Sequence, residues 1–299
     1  MWGWWPLATS GRYSPATRCR RAADGAAVAA WGCVATGRVR LCGPTTAPRV
    51  AAGQSTSPFH RFSEDFRGGM ELFSARHLFW IGVAALFAAG CANMRRWPPD
   101  GQAHAAFRRV LFALVLVNEL GWFAYRHFVV GIPLADNLPL HLCDLSVFVL
   151  FAGLATSGRL WSELAYYAGV VGALLAVCFP AISETGSIRP IAEIRYFLTH
   201  VALVGAGFYF TFGCRYCPPA RAILRSYIAV HLYALAITPL NLYLGTNYFF
   251  TLSAPKQLAF IHAYPHWLFL VVVSAIFLTV FALMHLPFAR LLANRRGAP

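Results

Sequence analysis

Three side chains in the middle of the sequence are of the types that nucleophilic catalysis uses: His141, Cys143 and His200. A cysteine attacks as its thiolate, and a histidine close to the sulfur lowers the pKa of the thiol. His141 and Cys143 are two residues apart and point in different directions from a helix, so they cannot easily pair. The pattern therefore favours Cys143 as a nucleophile whose base, His200, comes from another helix.

Acidic and basic side chains that could support this pair lie in the same part of the chain. Asp144 lies three residues after His141 on the same helix face, and it could orient His141 or pair with Arg126. Glu119 and Arg126 are seven residues apart, which also places them on one helix face. We therefore expect Glu119 and Arg126 either to form an ion pair or to line a pocket.

Two asparagines, Asn241 and Asn247, could donate hydrogen bonds to the oxyanion of an acyl-transfer intermediate. Other interpretations of the same residues stay open. Cys143 could be a buried structural thiol, and each histidine could be an interhelical hydrogen-bond donor. The favoured interpretation needs neither a metal nor a cofactor, but a zinc-dependent membrane hydrolase is an alternative. Its zinc ligands would be His141, Cys143, Asp144 and His200.

Long apolar segments carry these residues. The chain is 58% hydrophobic and 12% charged, whereas a soluble globular chain carries about 25% charged residues. Each apolar segment is close to the roughly 20 residues with which a helix crosses the hydrocarbon core, where the backbone must satisfy its own hydrogen bonds. The sequence therefore predicts an all-α, polytopic bundle of seven transmembrane helices. They lie at about residues 77–94, 107–130, 138–157, 160–182, 194–213, 222–245 and 265–288.

The distribution of arginine and lysine gives the expected orientation. These residues are more frequent in the first, third and fifth turns and in the C-terminal tail than on the opposite side, and cytoplasmic loops carry the excess of positive charge. We expect a cell-membrane protein with the residue-70 end outside and the C-terminus in the cytoplasm. Cys143, Asp144 and His200 would then lie roughly 6–10 Å below the outer ends of their helices, in a pocket that opens toward the outer leaflet.

The composition divides the chain into three parts. Residues 1–69 contain no apolar run of helix length, and we interpret them as a disordered N-terminal extension or an over-extended gene start, with a processed targeting segment as the alternative. Residues 70–289 form the transmembrane domain. Residues 290–299 form a short basic cytoplasmic tail.

The net charge of +14 does not indicate nucleic-acid binding. The arginines flank apolar runs or are scattered before Met70, and no basic stripe with interleaved aromatic residues occurs. The expected partners are membrane lipids, and no soluble protein partner is predicted. Cys214 and Cys217 form a C-x-x-C pair, but a zinc ribbon needs four ligands and no second pair accompanies them.

Several short motifs resemble those of the bacterial YwaF-like integral membrane proteins. They are Leu138-Pro139-Leu140-His141-Leu142-Cys143-Asp144, Phe197-Leu198-Thr199-His200, Pro239-Leu240-Asn241 with Gly245-Thr246-Asn247-Tyr248, and the segment Met70-Glu71-Leu72-Phe73. The similarity runs from about Met70 to Pro287. That family is grouped with the transmembrane protein 164 family, which resembles multi-pass lipid enzymes with a Thr or Cys nucleophile and a His. The resemblance implies acyl transfer onto ether lysophospholipids, with Cys143 as nucleophile and His200 as base.

The favoured hypothesis is therefore a membrane lipid acyltransferase or acyl hydrolase. The alternative from another class is a small-solute transporter or a receptor-like binding protein, which would use the same residues for binding. A transporter needs a polar path across the whole membrane. The predicted inner half offers few polar residues for such a path, namely Glu163, His231 and His285.

Overall fold

The computed structural model describes residues 70–182, 188–255 and 261–296, and within these ranges the chain is helical without strands. The predicted extension at residues 1–69 and the last three residues of the predicted tail lie outside the described residues. The α-helices are α1 Ala75–Asn93, α2 Gln102–Ala124, α3 Leu134–Asn137, α4 Leu142–Thr156, α5 Arg159–Leu164, α6 Val170–Cys178, α7 Arg189–Phe208, α8 Arg221–Leu244 and α9 His266–Arg296.

Three five-residue π-helical turns extend or join these helices. Tyr125–Val129 continues α2, Ala165–Gly169 joins α5 to α6, and Tyr209–Gly213 continues α7. A π turn inserts extra backbone into the helical spiral, so side chains on either side of it no longer keep the 3.6-residue spacing. This applies to Glu119 and Arg126, because Arg126 lies within the first of these turns and the two residues do not keep the regular seven-residue spacing.

Five of the described helical stretches are long and apolar enough to cross a membrane: Ala75–Arg96, Arg159–Cys178, Arg189–Gly213, Arg221–Leu244 and His266–Ala289. The other two predicted segments are helical but differ from these. The helix α2 has the length but carries Arg108, Arg109 and Glu119, and α4 has only 15 residues. The multi-pass helical architecture is thus confirmed, and the number of seven crossings stays a prediction.

The five stretches differ in how deeply they are buried. In their most apolar windows, 78% of Arg159–Cys178 and 83% of Arg189–Gly213 is buried inside the protein, against 11% for His266–Ala289. The α5–α6 helix and α7 therefore form the centre of the bundle. The helices α1, α8 and α9 have mostly exposed apolar surfaces, which suit contact with lipid tails.

The helix α4 begins later than the predicted segment at residues 138–157. The short α3 ends at Asn137, and the backbone is extended at Leu138, because the residue before a proline is driven out of the helical region by Pro139. The helix begins only at Leu142, and His141 is its N-cap residue. The His141 N–H donates to Asp144 Oδ2 at 2.9 Å, so this carboxylate caps the helix whose first turn holds Cys143.

The two central helices approach each other closely at Gly207 of α7. A Cβ atom there would overlap Val170 Cγ2 and lie 2.9 Å from the Ala165 carbonyl oxygen. Because Ala165 begins the π turn between α5 and α6, the obstacle is backbone and not a flexible side chain. The glycine therefore permits the contact between α7 and the α5–α6 helix.

Candidate active site

His200 is fully buried on α7, and its ring orientation is fixed by its own helix. Nδ1 lies 2.7 Å from the Tyr196 carbonyl oxygen, and because a carbonyl can only accept, Nδ1 carries the proton. The ring also packs against that of Tyr196, with centroids 4.2 Å apart. Nε2 is consequently the basic nitrogen, and it has no hydrogen-bond partner within the described residues. Buried acceptors usually have a partner, and this nitrogen is available to accept a hydrogen bond or a proton.

Cys143 lies in the first turn of α4 and is buried, with 4% of its surface exposed. It belongs to an apolar cluster that also contains Val147, Ala173 and Leu203. Leu203 lies on α7, the helix that carries His200, so the thiol packs against that helix. A buried thiol without a basic partner would be inert, so a nucleophilic role of Cys143 would require an imidazole.

A network of polar side chains from α2 and α7 lies next to His200. The Thr199 hydroxyl donates a short hydrogen bond to Glu119 Oε1, and Asn118 Nδ2 donates to Thr199 Oγ1 at 2.8 Å. Arg195 Nη2 lies 3.6 Å from Glu119 Oε1. The Arg195 guanidinium carbon also lies 4.8 Å from the ring centroid of Trp122, a cation–π contact.

Glu119 and Arg126 were expected either to form an ion pair or to line a pocket, and the structure gives Glu119 a different ionic partner. The ion pair that Glu119 makes is with Arg195. Arg126 belongs to the π turn that follows α2, so the seven-residue spacing no longer places it above Glu119. The helices α2, α4 and α7, which carry Glu119, Asp144 and Arg195, contact one another.

His141 contacts the loop between α8 and α9. The Phe249 N–H donates to His141 Nδ1 at 3.3 Å, and the Tyr248 and Phe250 rings lie against the imidazole. Tyr248 anchors this loop to α3, because its hydroxyl donates to the Ala135 carbonyl at 2.6 Å. Burial raises the pKa of Tyr248 to about 12, so the hydroxyl keeps the proton that it donates.

The two asparagines are used within the same loop. Asn241 Nδ2 donates to the Tyr248 carbonyl at 2.8 Å and to Thr251 Oγ1 at 2.9 Å. Asn247 Nδ2 donates to the carbonyl and the hydroxyl of Ser253. Both amide hydrogens of each residue are therefore engaged, and the oxyanion role stays a prediction that would require one of these bonds to open.

Sequence reasoning missed four residues of the site: Asn118, Arg195, Tyr196 and Thr199. Arg195 was counted only as one of the positive charges on the side opposite the C-terminus, although its side chain is buried. The four-residue spacing from Tyr196 to His200 was a usable signal, since residues so spaced stack on one helix face.

The proposed zinc ligands do not converge. Within residues 70–182, 188–255 and 261–296, no group of three or more His, Cys, Asp or Glu side chains is placed to hold a metal ion. The reason is local: Asp144 caps α4 through the His141 backbone, while the His141 ring faces the loop.

A cavity of about 530 Å³ lies at the opposite end of the bundle, between the start of α2 and the end of α4. Arg108 and Arg109 line it over a floor that includes Phe112 and Leu154. It contains neither Cys143 nor His200, so it is separate from the predicted outer-leaflet pocket.

The apolar helices and the buried polar cluster define a multi-pass integral membrane protein with a helical bundle. The chain matches the model of the TMEM164 family over residues 72–285, and it belongs to that family. The match includes Glu119, Cys143, Arg195 and His200. No curated protein and no solved structure matches the chain.

Proposed function

We propose that this protein is a membrane lipid acyltransferase or acyl hydrolase in which Cys143 is the nucleophile and His200 its base. The observation that carries the proposal is the state of His200: the imidazole is buried, its tautomer is fixed by the Tyr196 carbonyl, and Nε2 has no partner within the described residues. An imidazole held in this way can accept a proton from a thiol that comes within hydrogen-bonding distance of Nε2.

The first step of the reaction transfers the acyl group to sulfur. His200 Nε2 takes the thiol proton of Cys143, and the thiolate attacks the carbonyl carbon of a lipid ester. The bond to the leaving lysolipid breaks, and its oxygen takes the proton from His200. The products are a Cys143 thioester and a free lysolipid.

The second step transfers the acyl group to an acceptor. His200 removes the proton from the hydroxyl of a lysophospholipid or of water, and that oxygen attacks the thioester. The Cys143 sulfur leaves and regains the proton, which restores the resting enzyme. Membership of the TMEM164 family and the apolar surroundings of Cys143 support a lipid substrate.

The test is acyl transfer by purified protein in lipid micelles containing an acyl donor and a lysophospholipid. Cys143→Ala should reduce the rate at least about 1,000-fold, because the nucleophile is removed. His200→Ala should reduce it about 100- to 10,000-fold, as for loss of a general base. Cys178→Ala is the matched thiol control, because Cys178 is a free, only partly buried cysteine in α6, and it should keep full activity. Full activity of Cys143→Ala would eliminate the thioester mechanism.

A further inference from the structure

A second histidine of the bundle, His231 on α8, has the same internal geometry as His200. Its Nδ1 lies 2.8 Å from the carbonyl oxygen of Tyr227, four residues earlier, and its ring centroid lies 4.1 Å from that of Tyr227. The two Tyr-x-x-x-His pairs even share an interplanar angle of 39°. In both, the carbonyl fixes the proton on Nδ1 and leaves Nε2 as the basic nitrogen.

The basic nitrogen of His231 is engaged by a hydroxyl from the next helix. Ser274 Oγ, on α9, lies 2.7 Å from His231 Nε2, and with the tautomer fixed the serine is the donor. The Tyr227 hydroxyl makes a short hydrogen bond to the same Oγ atom. A hydroxyl within reach of a basic nitrogen, with the base oriented by a third group, is the arrangement of an activated nucleophile.

We propose that Ser274 and His231 form a second nucleophile–base pair that accepts the acyl group of an apolar lipid ester from the bilayer. His231 Nε2 takes the hydroxyl proton while Ser274 Oγ bonds to the ester carbonyl carbon. The bond to the leaving alcohol then breaks, and the alcohol takes the proton from His231. The products are an ester on Ser274 and a free lipid alcohol, and Tyr227 is a positioning residue.

The location of the pair gives the substrate class. Ser274 lies eight residues into α9 from His266, which is about 12 Å along the helix. The imidazole of His231 is exposed on a helix whose apolar window is only 17% buried, so the pair faces the lipid side of the bundle. Between His266 and His285, α9 has no Asp, Glu, Lys or Arg. An ester without a charged head group can reach this depth, whereas a phospholipid head group would lose its hydration there.

The pair does not depend on the proposed chemistry of Cys143, and the experiment keeps the two apart. Wild-type and Cys143→Ala proteins are purified in detergent and treated with a long-chain alkyl fluorophosphonate, which forms an Oγ–P bond and releases fluoride. Peptide mass spectrometry then locates the adduct. We expect an adduct on Ser274 in both proteins, and no adduct at this position in Ser274→Ala.

Two further variants separate activation from packing, because the Ser274–His231 bond also joins α8 to α9. His231→Gln keeps a hydrogen-bonding side chain but cannot take the proton, so labelling of Ser274 should fall at least tenfold with little change in melting temperature. Ser162→Ala, which removes a helical serine that bonds only to the Gly158 carbonyl, should leave labelling unchanged. An unlabelled Ser274 in the wild type, or equal labelling in His231→Gln, would overturn the proposal and leave the contact as an interhelical hydrogen bond.

Discussion

At the scale of single residues, the ion pair between Arg195 and Glu119 shows how the bundle accommodates buried charges. Arg195 and Glu119 are both largely shielded, with 9% and 20% of their side-chain surfaces exposed. Ionised groups within a membrane are costly, so they persist where they are paired or functional. Here the pair joins α2 to α7, and Arg195 precedes His200 by five residues, which is about one and a half helical turns.

Removing one member of this pair should destabilise the protein. Glu119→Ala leaves the buried Arg195 without its carboxylate, and breaking a buried pair costs about 3 kcal/mol. Thermal unfolding in detergent should show a clear loss relative to Glu71→Ala, which removes an exposed carboxylate outside the helices. Equal melting temperatures for the two variants would show that the pair does not hold α2 against α7.

Cys143 and His200 were chosen from the sequence because their residue types and predicted depths matched, and their roles stay predictions. The partner of Glu119 could not be found, because it comes from another helix and the π turn displaces the expected Arg126. The hydrogen bonds of Asn241 could not be predicted either, since they depend on how the loop brings Tyr248 and Thr251 back to α8.

At the scale of elements, the packing of α7 against the α5–α6 helix depends on Gly207. Gly207→Ala places a methyl group against the Ala165 carbonyl and Val170, and overpacking of this kind costs roughly 1–3 kcal/mol. The melting temperature should fall. Gly82→Ala is the control, because a Cβ there meets no atom within 4 Å; a similar loss in both variants would point to a general sensitivity of the helices.

The loop after α8 is the other element that the site depends on. Asn241 is fully buried, and its side-chain oxygen accepts from Thr246 Oγ1 and the Tyr248 N–H at 2.9 and 2.8 Å. Asn241→Ala removes these bonds together with the two that its amide donates. The segment 245–255, which covers His141, should therefore become more sensitive to limited proteolysis.

Thr238→Ala in the same helix removes only an intrahelical hydrogen bond to Ala234, and it should leave the segment 245–255 resistant. Acyl transfer can be measured on the same samples. If Asn241→Ala lost activity while the loop stayed resistant, the oxyanion role predicted from the sequence would be favoured over the structural one.

At the scale of the whole molecule, the hydropathy of the sequence was sufficient for the class of protein but not for every boundary. All seven predicted segments are helical, and five are candidate spans. The 138–157 segment is the informative exception: Pro139 delays the helix to Leu142. A sliding average of hydropathy does not detect this delay, which turns the His141 ring toward the loop.

The predicted orientation can be tested with single cysteines at the two ends. Ser253 and Asp100 are both exposed but lie at opposite ends of the bundle. In intact cells, in a background without other accessible thiols, a membrane-impermeant maleimide should label Ser253→Cys directly and Asp100→Cys only after permeabilisation. The reverse pattern would place the C-terminus outside and overturn the assignment made from positive charge.

The most direct test of the account as a whole is to look for the acyl group on the protein. The purified wild type is incubated with an acyl donor but without an acceptor, quenched in acid and digested. A mass increase equal to the acyl chain should be found on the peptide that contains Cys143, and neutral hydroxylamine should remove it, as it does a thioester. His200→Ala should accumulate far less of this species. A wild-type protein that turns over the donor while Cys143 stays unmodified would contradict the account.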